Sequence, residues 1–190
     1  MIDVPLSDLL IQANIKSEKQ FMDLSDSSWQ DFPDTGISIG EYIIFYQGGP
    51  IDHGTHVPGP VAQSSVESYN NTACTTGMDL SYFRMFIHEF LNKDPYIFPE
   101  EAPLIILDRK SAVCMANNGK DAKHTRHIAR IIHFVRNGEK CKVHKIDWCE
   151  GGLKLAYIST NNVGENYFNT RINYIMVRLE NLYRKLVQEG

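Results

Sequence analysis

The stretch that most constrains the chain is a short apolar run that ends in one acidic residue. Residues 104–107 are Leu-Ile-Ile-Leu, Pro103 precedes them and Asp108 follows them. Such a run predicts a fully buried strand, and the end of a strand is where α/β sheets usually hold ligands. Asp108 is therefore a candidate site residue. The pattern also allows Asp108 to cap a short helix near Lys110, because Asp is a favoured N-cap residue.

The length and composition favour one soluble domain. A chain of 190 residues can bury one substantial core. No apolar run approaches the length of a membrane span, so we expect no membrane association. The four cysteines match no disulfide framework, which favours an intracellular location in the cytoplasm or nucleus. Residues 1–18 are weakly patterned and are predicted to be a leader or the remnant of a connection, and residues 19–190 are predicted to be the domain.

Basic residues are concentrated in one part of the chain. Residues 109–145 contain ten Lys or Arg and two acidic residues, although the whole chain has a net charge of −4. A block of this sign is typical of a surface that binds a phosphate backbone. A solvated helix face would give the same pattern. The candidate nucleic-acid-binding residues are Arg109, Lys110, Lys123, Arg126 and Arg130.

The first half of the chain predicts three strands and a long helix. Period-two alternation over residues 19–26 places Asp26 at the end of the first strand. Residues 37–46 are rich in β-formers, and a third strand is expected around residues 51–56. Ser64 and Glu67 have the spacing of a capping box, which begins a helix to about residue 92. This helix is expected to be interrupted or bent at Gly77, with its apolar side chains, including Phe90 and Leu91, toward the core.

The second half alternates helices and strands after the opening apolar run. A helix over residues 123–136 has apolar residues on one face and cationic residues on the other. Residues 143–149 alternate as a strand, and residues 172–186 form a clear helical stripe of about five turns. The chain is therefore predicted to end in an amphipathic helix, which packs on the core or binds a partner.

The order of elements and several short motifs resemble the ribonuclease H domain of copia-type (Ty1/copia) LTR retrotransposon polyproteins. The matching segments are residues 25–29, 36–40, 45–51, 64–67, 108–112, 124–128 and 133–136. The resemblance implies an α/β fold of the ribonuclease H type. Its central sheet would be mixed, with three antiparallel strands and then parallel strands, and helices would flank it.

The resemblance also implies a catalytic site. Asp26, Glu67 and Asp108 match the family's first three acids, and they would be both the catalytic residues and the metal ligands. Hydrolysis of a phosphodiester by two divalent ions needs such a set of carboxylates, and Mg²⁺ (or Mn²⁺) suits oxygen ligands. The expected activity is cleavage of the RNA strand of an RNA/DNA hybrid. A reverse transcriptase domain of the same polyprotein would be a partner.

The sequence departs from the family's pattern at the fourth acid. Its place falls on Tyr157, which is neutral near pH 7 and cannot supply a carboxylate to the second ion. Glu165 could compensate from the following segment. The long helix also has Tyr69 and Asn70 where the family usually has Glu and Tyr. These replacements leave open a catalytically inactive, nucleic-acid-binding domain derived from a retroelement.

A different class of function is a zinc-stabilised interaction module. It would use Cys141, His144 and Cys149, with His133 as a further ligand. The spacing of these residues is loose for a zinc site, and they would lie on a strand where their side chains converge poorly.

Overall fold

The computed structural model describes six stretches of the chain. They are residues 21–32, 34–46, 49–57, 61–91, 102–118 and 128–149, with residues 165 and 169 in addition. The predictions for residues 1–18, for Lys123, Arg126 and Tyr157 and for the C-terminal helix lie outside the described residues. In the described stretches no helix is long and apolar enough to cross a membrane.

Five strands form one mixed sheet in the order β3-β2-β1-β4-β5. The strands are β1 (Phe21–Phe32), β2 (Ile37–Tyr46), β3 (Gly49–His56), β4 (Leu104–Leu107) and β5 (Lys145–Trp148). The β1–β2 and β2–β3 pairs are antiparallel, and the β1–β4 and β4–β5 pairs are parallel. The predicted mixed sheet is therefore confirmed. All four residues of β4 are buried, as expected for a central parallel strand.

Within the six described stretches, three helices pack with the sheet. They are α1 (Ser65–Phe90), α2 (Lys110–Asn117) and α3 (Ala129–Lys140). Helix α1 is seated on β1 through hydroxyl groups as well as apolar contacts, because Ser25 Oγ donates a hydrogen bond to Thr76 Oγ1 at 3.2 Å and the hydroxyls of Ser27 and Ser68 are 2.5 Å apart. These contacts fix which side of α1 faces the sheet.

Several predicted boundaries are corrected. Asp26 does not end its strand, because β1 continues to pair with β2 as far as Phe32. Helix α1 runs through Gly77 without interruption. Its last predicted core residues, Phe90 and Leu91, are exposed, at 76% and 44%. Period alone does not say where the core stops covering a long helix.

Two further corrections concern the helices after β4. The N-cap of α2 is Arg109, which makes no capping hydrogen bond through its side chain, so the prediction that Asp108 caps this helix is wrong. Helix α3 ends at Lys140, beyond the predicted residue 136. Gly138 is buried inside it because the ring of His144 fills the space beside its backbone.

Candidate functional site

The sheet brings Asp26 and Asp108 next to each other. In the parallel β1–β4 pair, Leu24 lies opposite Ile106, and each acid stands two residues further along its strand direction. Because the side chains of alternate residues share a face, continuation of this register places the two acids side by side. Asp26 is buried and Asp108 is half-buried. Asp108 follows the carboxyl end of β4, whereas Asp26 lies within β1.

Tyr69 of α1 reaches this pair of acids. Its hydroxyl donates a hydrogen bond of 2.7 Å to Asp26 Oδ1. Burial raises the pKa of Tyr69 above its ordinary value, and so do the charges of Asp26 and Asp108 and hydrogen bonds to both carboxylates. The phenol therefore stays protonated and acts as a donor between two acids.

Glu67 is engaged at the start of its own helix. Its backbone N–H donates to Ser64 Oγ at 3.2 Å, and its Oε2 accepts a hydrogen bond of 2.8 Å from the backbone N–H of Gln63. The predicted capping role is confirmed, with the carboxylate bound one residue before the N-cap. Its role as a metal ligand stays a prediction.

The described residues do not fit a two-metal centre. Among them, no group of three or more His, Cys, Asp or Glu side chains is placed to hold a metal ion. Two carboxylates approach each other, and the phenol hydroxyl of Tyr69 interacts with both of them. Mg²⁺ needs oxygen ligands in near-octahedral geometry and favours carboxylates among them. Glu165, the proposed substitute acid, is exposed in a helical conformation.

The spacing of residues along α1 indicates which of Tyr69 and Glu67 faces the sheet. The core stripe of α1 includes Tyr69, Ala73 and Leu80, which lie on one face of a helix. Glu67 is two positions before Tyr69, and residues two apart point in nearly opposite directions on a helix. The stripe therefore assigns Tyr69, and not Glu67, to the face that meets the sheet.

A cation is held beside Asp108. Arg109 and Lys110 are exposed, and the Lys110 ammonium lies 4.0 Å from the ring centre of Trp148. Trp148 Nε1 also donates a hydrogen bond of 2.9 Å to the carbonyl oxygen of Asp108. Trp148, which sequence reasoning did not single out, thus orients both the Asp108 backbone and the nearest lysine.

The other described cations have separate positions. Arg130 is exposed on α3, and the buried residues Ile132 and Val135 occupy the other face, as predicted. Arg136 donates to the carbonyl oxygen of Met115 at 3.1 Å, so it joins α3 to α2. This contact assigns Arg136 a structural role.

The zinc module is not formed. Cys141 is exposed, whereas His144 is fully buried between Gly77 and Gly138. His144 Nε2 is 3.1 Å from the carbonyl oxygen of Val135. The proposed ligands are all described, and none of them belongs to a group able to bind metal.

Solved structures identify the fold. Ribonuclease H1 from the halophilic archaeon Halobacterium salinarum NRC-1 matches with a TM-score of 0.50 and 9% sequence identity, over 70% of this chain and 87% of that chain. The fold is that of ribonuclease H. LC11-RNase H1 in complex with an RNA/DNA hybrid matches with a TM-score of 0.50 and 8% sequence identity, over 71% of this chain and 88% of that chain.

The sequence of the chain is similar to parts of two retroelement polyproteins. The chain is similar to the retrovirus-related Pol polyproteins from transposons RE2 and RE1 of Arabidopsis thaliana, with 24% and 23% identity over 138 residues. The alignments cover 73% of this chain and 8% of each polyprotein, so the chain spans a small part of these relatives. The resemblance to copia-like polyproteins is confirmed. No family model matches the chain.

Proposed function

We propose that this chain is an RNA/DNA-hybrid-binding domain with the ribonuclease H fold that does not cut the hybrid. The observation that carries the proposal is the 2.7 Å hydrogen bond from Tyr69 to Asp26. It supports a site in which a neutral hydroxyl meets the two acids at the sheet edge. Two-metal hydrolysis requires carboxylates that hold both ions about 4 Å apart, and among the described residues no three acidic side chains are grouped in this way.

The cations beside Asp108 support binding of a phosphate backbone. Arg109 and Lys110 begin α2, and the Lys110 ammonium lies over the ring of Trp148, whose Nε1 donates to the carbonyl oxygen of Asp108. Exposed Arg130 on α3 and the predicted residues Lys123 and Arg126 would extend this surface. A-form-like duplexes are recognised through shape, phosphate and 2′-OH contacts, which such a surface can supply without base contacts.

The proposed setting is a retroelement polyprotein. Similarity to part of two Pol polyproteins supports a neighbouring reverse transcriptase domain that would deliver the hybrid. In that setting the domain would hold the template–product duplex inside the cell.

Hybrid cleavage is the second candidate function. It is favoured by the parallel register of β1 and β4, which brings Asp26 and Asp108 side by side. In that case Asp26, Glu67 and Asp108 would need to gather around Mg²⁺ or Mn²⁺, which supplies an activated water and stabilises the leaving oxygen. A cleavage assay on the purified chain with a labelled hybrid in Mg²⁺ and in Mn²⁺ separates the two functions. Metal-dependent cleavage that is lost in Asp108→Asn would overturn our proposal.

Binding is measured on the same hybrid by fluorescence anisotropy at several salt concentrations. We expect the pair Arg109→Gln/Lys110→Gln to weaken binding by about tenfold and to reduce the salt slope by about two, because each phosphate contact contributes about one to that slope.

A matched control removes two charges elsewhere. Lys140 ends α3 and Lys145 lies beside Leu104, at the other end of β4 from Asp108. The pair Lys140→Gln/Lys145→Gln should leave hybrid affinity nearly unchanged. Equal losses in the two double variants would mean that the surface beside Asp108 is not the binding surface.

A further inference from the structure

The side chain by which α1 meets the two sheet acids is that of Tyr69. Its hydroxyl is 2.7 Å from Asp26 Oδ1, and the Asp108 carboxylate adjoins it. Glu67 is one helical half-turn away, and its carboxylate accepts the N–H of Gln63. The two residues therefore serve different neighbours, although they are only two positions apart.

We propose that Tyr69 occupies the position at which an acidic side chain would complete a divalent-cation site with Asp26 and Asp108. The phenol O–H replaces the cation as the positive partner of the carboxylates, and the single substitution Tyr69→Glu creates cation binding. This inference rests on the proposed function insofar as it takes the present site to be without metal chemistry.

The sizes of the two side chains support the substitution. A glutamate is shorter than a tyrosine, so its carboxylate would lie further from Asp26 than the phenol oxygen does and would leave space for an ion between the two carboxylates. Tyr69 is 8% exposed and belongs to the core cluster, so the space that its ring vacates is enclosed. Three carboxylates that face one enclosed space repel each other, and a divalent cation relieves the repulsion.

The experiment measures Mn²⁺ binding to the full chain by titration calorimetry, with the unfolding temperature at increasing Mn²⁺ as a second readout. Tyr69→Glu is expected to bind Mn²⁺ at least about tenfold more tightly than the wild type does, because affinity rises with the number of carboxylate ligands. Its unfolding temperature should be low without metal and should rise steeply with Mn²⁺.

One control distinguishes the effect of the new charge from the effect of side-chain size. The other distinguishes position 69 from position 67 of the helix. Tyr69→Gln has nearly the size of Tyr69→Glu without the charge, and it should gain no Mn²⁺ affinity. Adding Asp108→Asn to Tyr69→Glu should abolish the gain, whereas adding Glu67→Gln should preserve it. If Tyr69→Glu binds Mn²⁺ no better than Tyr69→Gln, or if Glu67→Gln abolishes the gain, the proposal is overturned.

Failure to fold is also informative. If Tyr69→Gln folds and Tyr69→Glu stays unfolded in millimolar Mn²⁺, no cation compensates the new charge and the proposal fails. If neither variant folds, the wild type and Glu67→Gln decide, since a wild-type Mn²⁺ affinity that is lost in Glu67→Gln would place the helix ligand at Glu67 and overturn the proposal. Hybrid cleavage by the wild type would contradict only the proposed function, whereas these titrations test the Tyr69 position alone.

Discussion

Two of the polar side chains that helix α1 buries, those of Tyr69 and Arg84, differ in what they bind. Near its start, Tyr69 donates to the side-chain carboxylate of Asp26. Further along, Arg84 is 1% exposed and donates to the backbone carbonyl oxygens of Lys142 at 3.2 Å and Val143 at 2.6 Å. His144, which follows Val143 in the sequence, is fully buried against α1 and α3.

The difference indicates that the Tyr69 region serves function and that the Arg84 region serves the stability of the fold. Every residue has a backbone carbonyl, so the contacts of Arg84 do not depend on which side chains stand at residues 142 and 143. The region around Arg84 and His144, here called the basic pocket, stabilises the turn from α3 to β5 and depends on how well its side chains fit the available space. The carboxylates at the other place belong to particular side chains, so one substitution there can change the chemistry of the site and leave the fold in place. The following predictions test this contrast from the largest expected effect to the smallest.

The basic pocket should be very sensitive to volume. A Cβ atom at Gly138 would overlap the ring of His144, so we expect Gly138→Ala to lower the free energy of unfolding by about 3 kcal/mol. Gly77→Ala is the matched control, because its Cβ would be 3.1 Å from His144 Cε1, a contact that small shifts can relieve. Urea denaturation measures both, and equal losses would contradict a pocket formed mainly at Gly138.

Loss of the single hydroxyl group that contacts Asp26 should lower the stability of the protein. Tyr69→Phe removes the donor to Asp26 and should cost about 2 kcal/mol of unfolding free energy, because hydrogen bonds to charged groups are among the stronger ones. Tyr42→Phe is the control, since Tyr42 donates to Asp52 at 3.0 Å in a less buried place and the pKa of Tyr42 is raised to about 12. A smaller loss in Tyr69→Phe than in Tyr42→Phe would argue against the central place of Tyr69.

The basic pocket should also make stability depend on pH. Burial lowers the pKa of His144, with a further lowering by the charge of Arg84 and an opposing effect of the Val135 carbonyl. The unfolded chain then binds more protons than the folded one below about pH 6.5, so stability is lost as the pH falls, by up to about 1.4 kcal/mol per pH unit.

His56 also contributes to this dependence, because burial lowers its pKa as well. Denaturation of the wild type and of His144→Gln between pH 7.5 and 5 measures the share of His144. The slope should be smaller in the variant, and an unchanged slope would assign the effect to His56.

The smallest effect is expected at Glu67. Glu67→Ala removes the acceptor for the N–H of Gln63 and should cost about 1 kcal/mol, the usual value for a lost cap. Glu67→Gln keeps an acceptor oxygen and should cost less. Hybrid affinity should be unchanged in both variants, and a large change in binding would return Glu67 to the functional site.

The sequence determined the elements and the chemistry they carry. The buried run before Asp108, the capping box of Ser64 and Glu67 and the cationic face of α3 were predictable, because each depends on the spacing of residues along one segment. The mixed sheet was implied by the motif resemblance. The motif resemblance joined these segments into one fold that the solved structures share.

Only the tertiary structure decided which side chains meet. The position of α1 against β1 turns Tyr69 to the acids and Glu67 to its own N-terminus, and the packing of α1 against α3 lets α3 continue past Gly138 around His144. The spacing of residues predicts which face of a helix is buried, but it does not predict atomic positions closely enough for a hydrogen bond, which requires atoms about 3 Å apart. That accuracy arises when separate elements pack together, and so the identity of the residue at the centre of the site was not determined by any one segment.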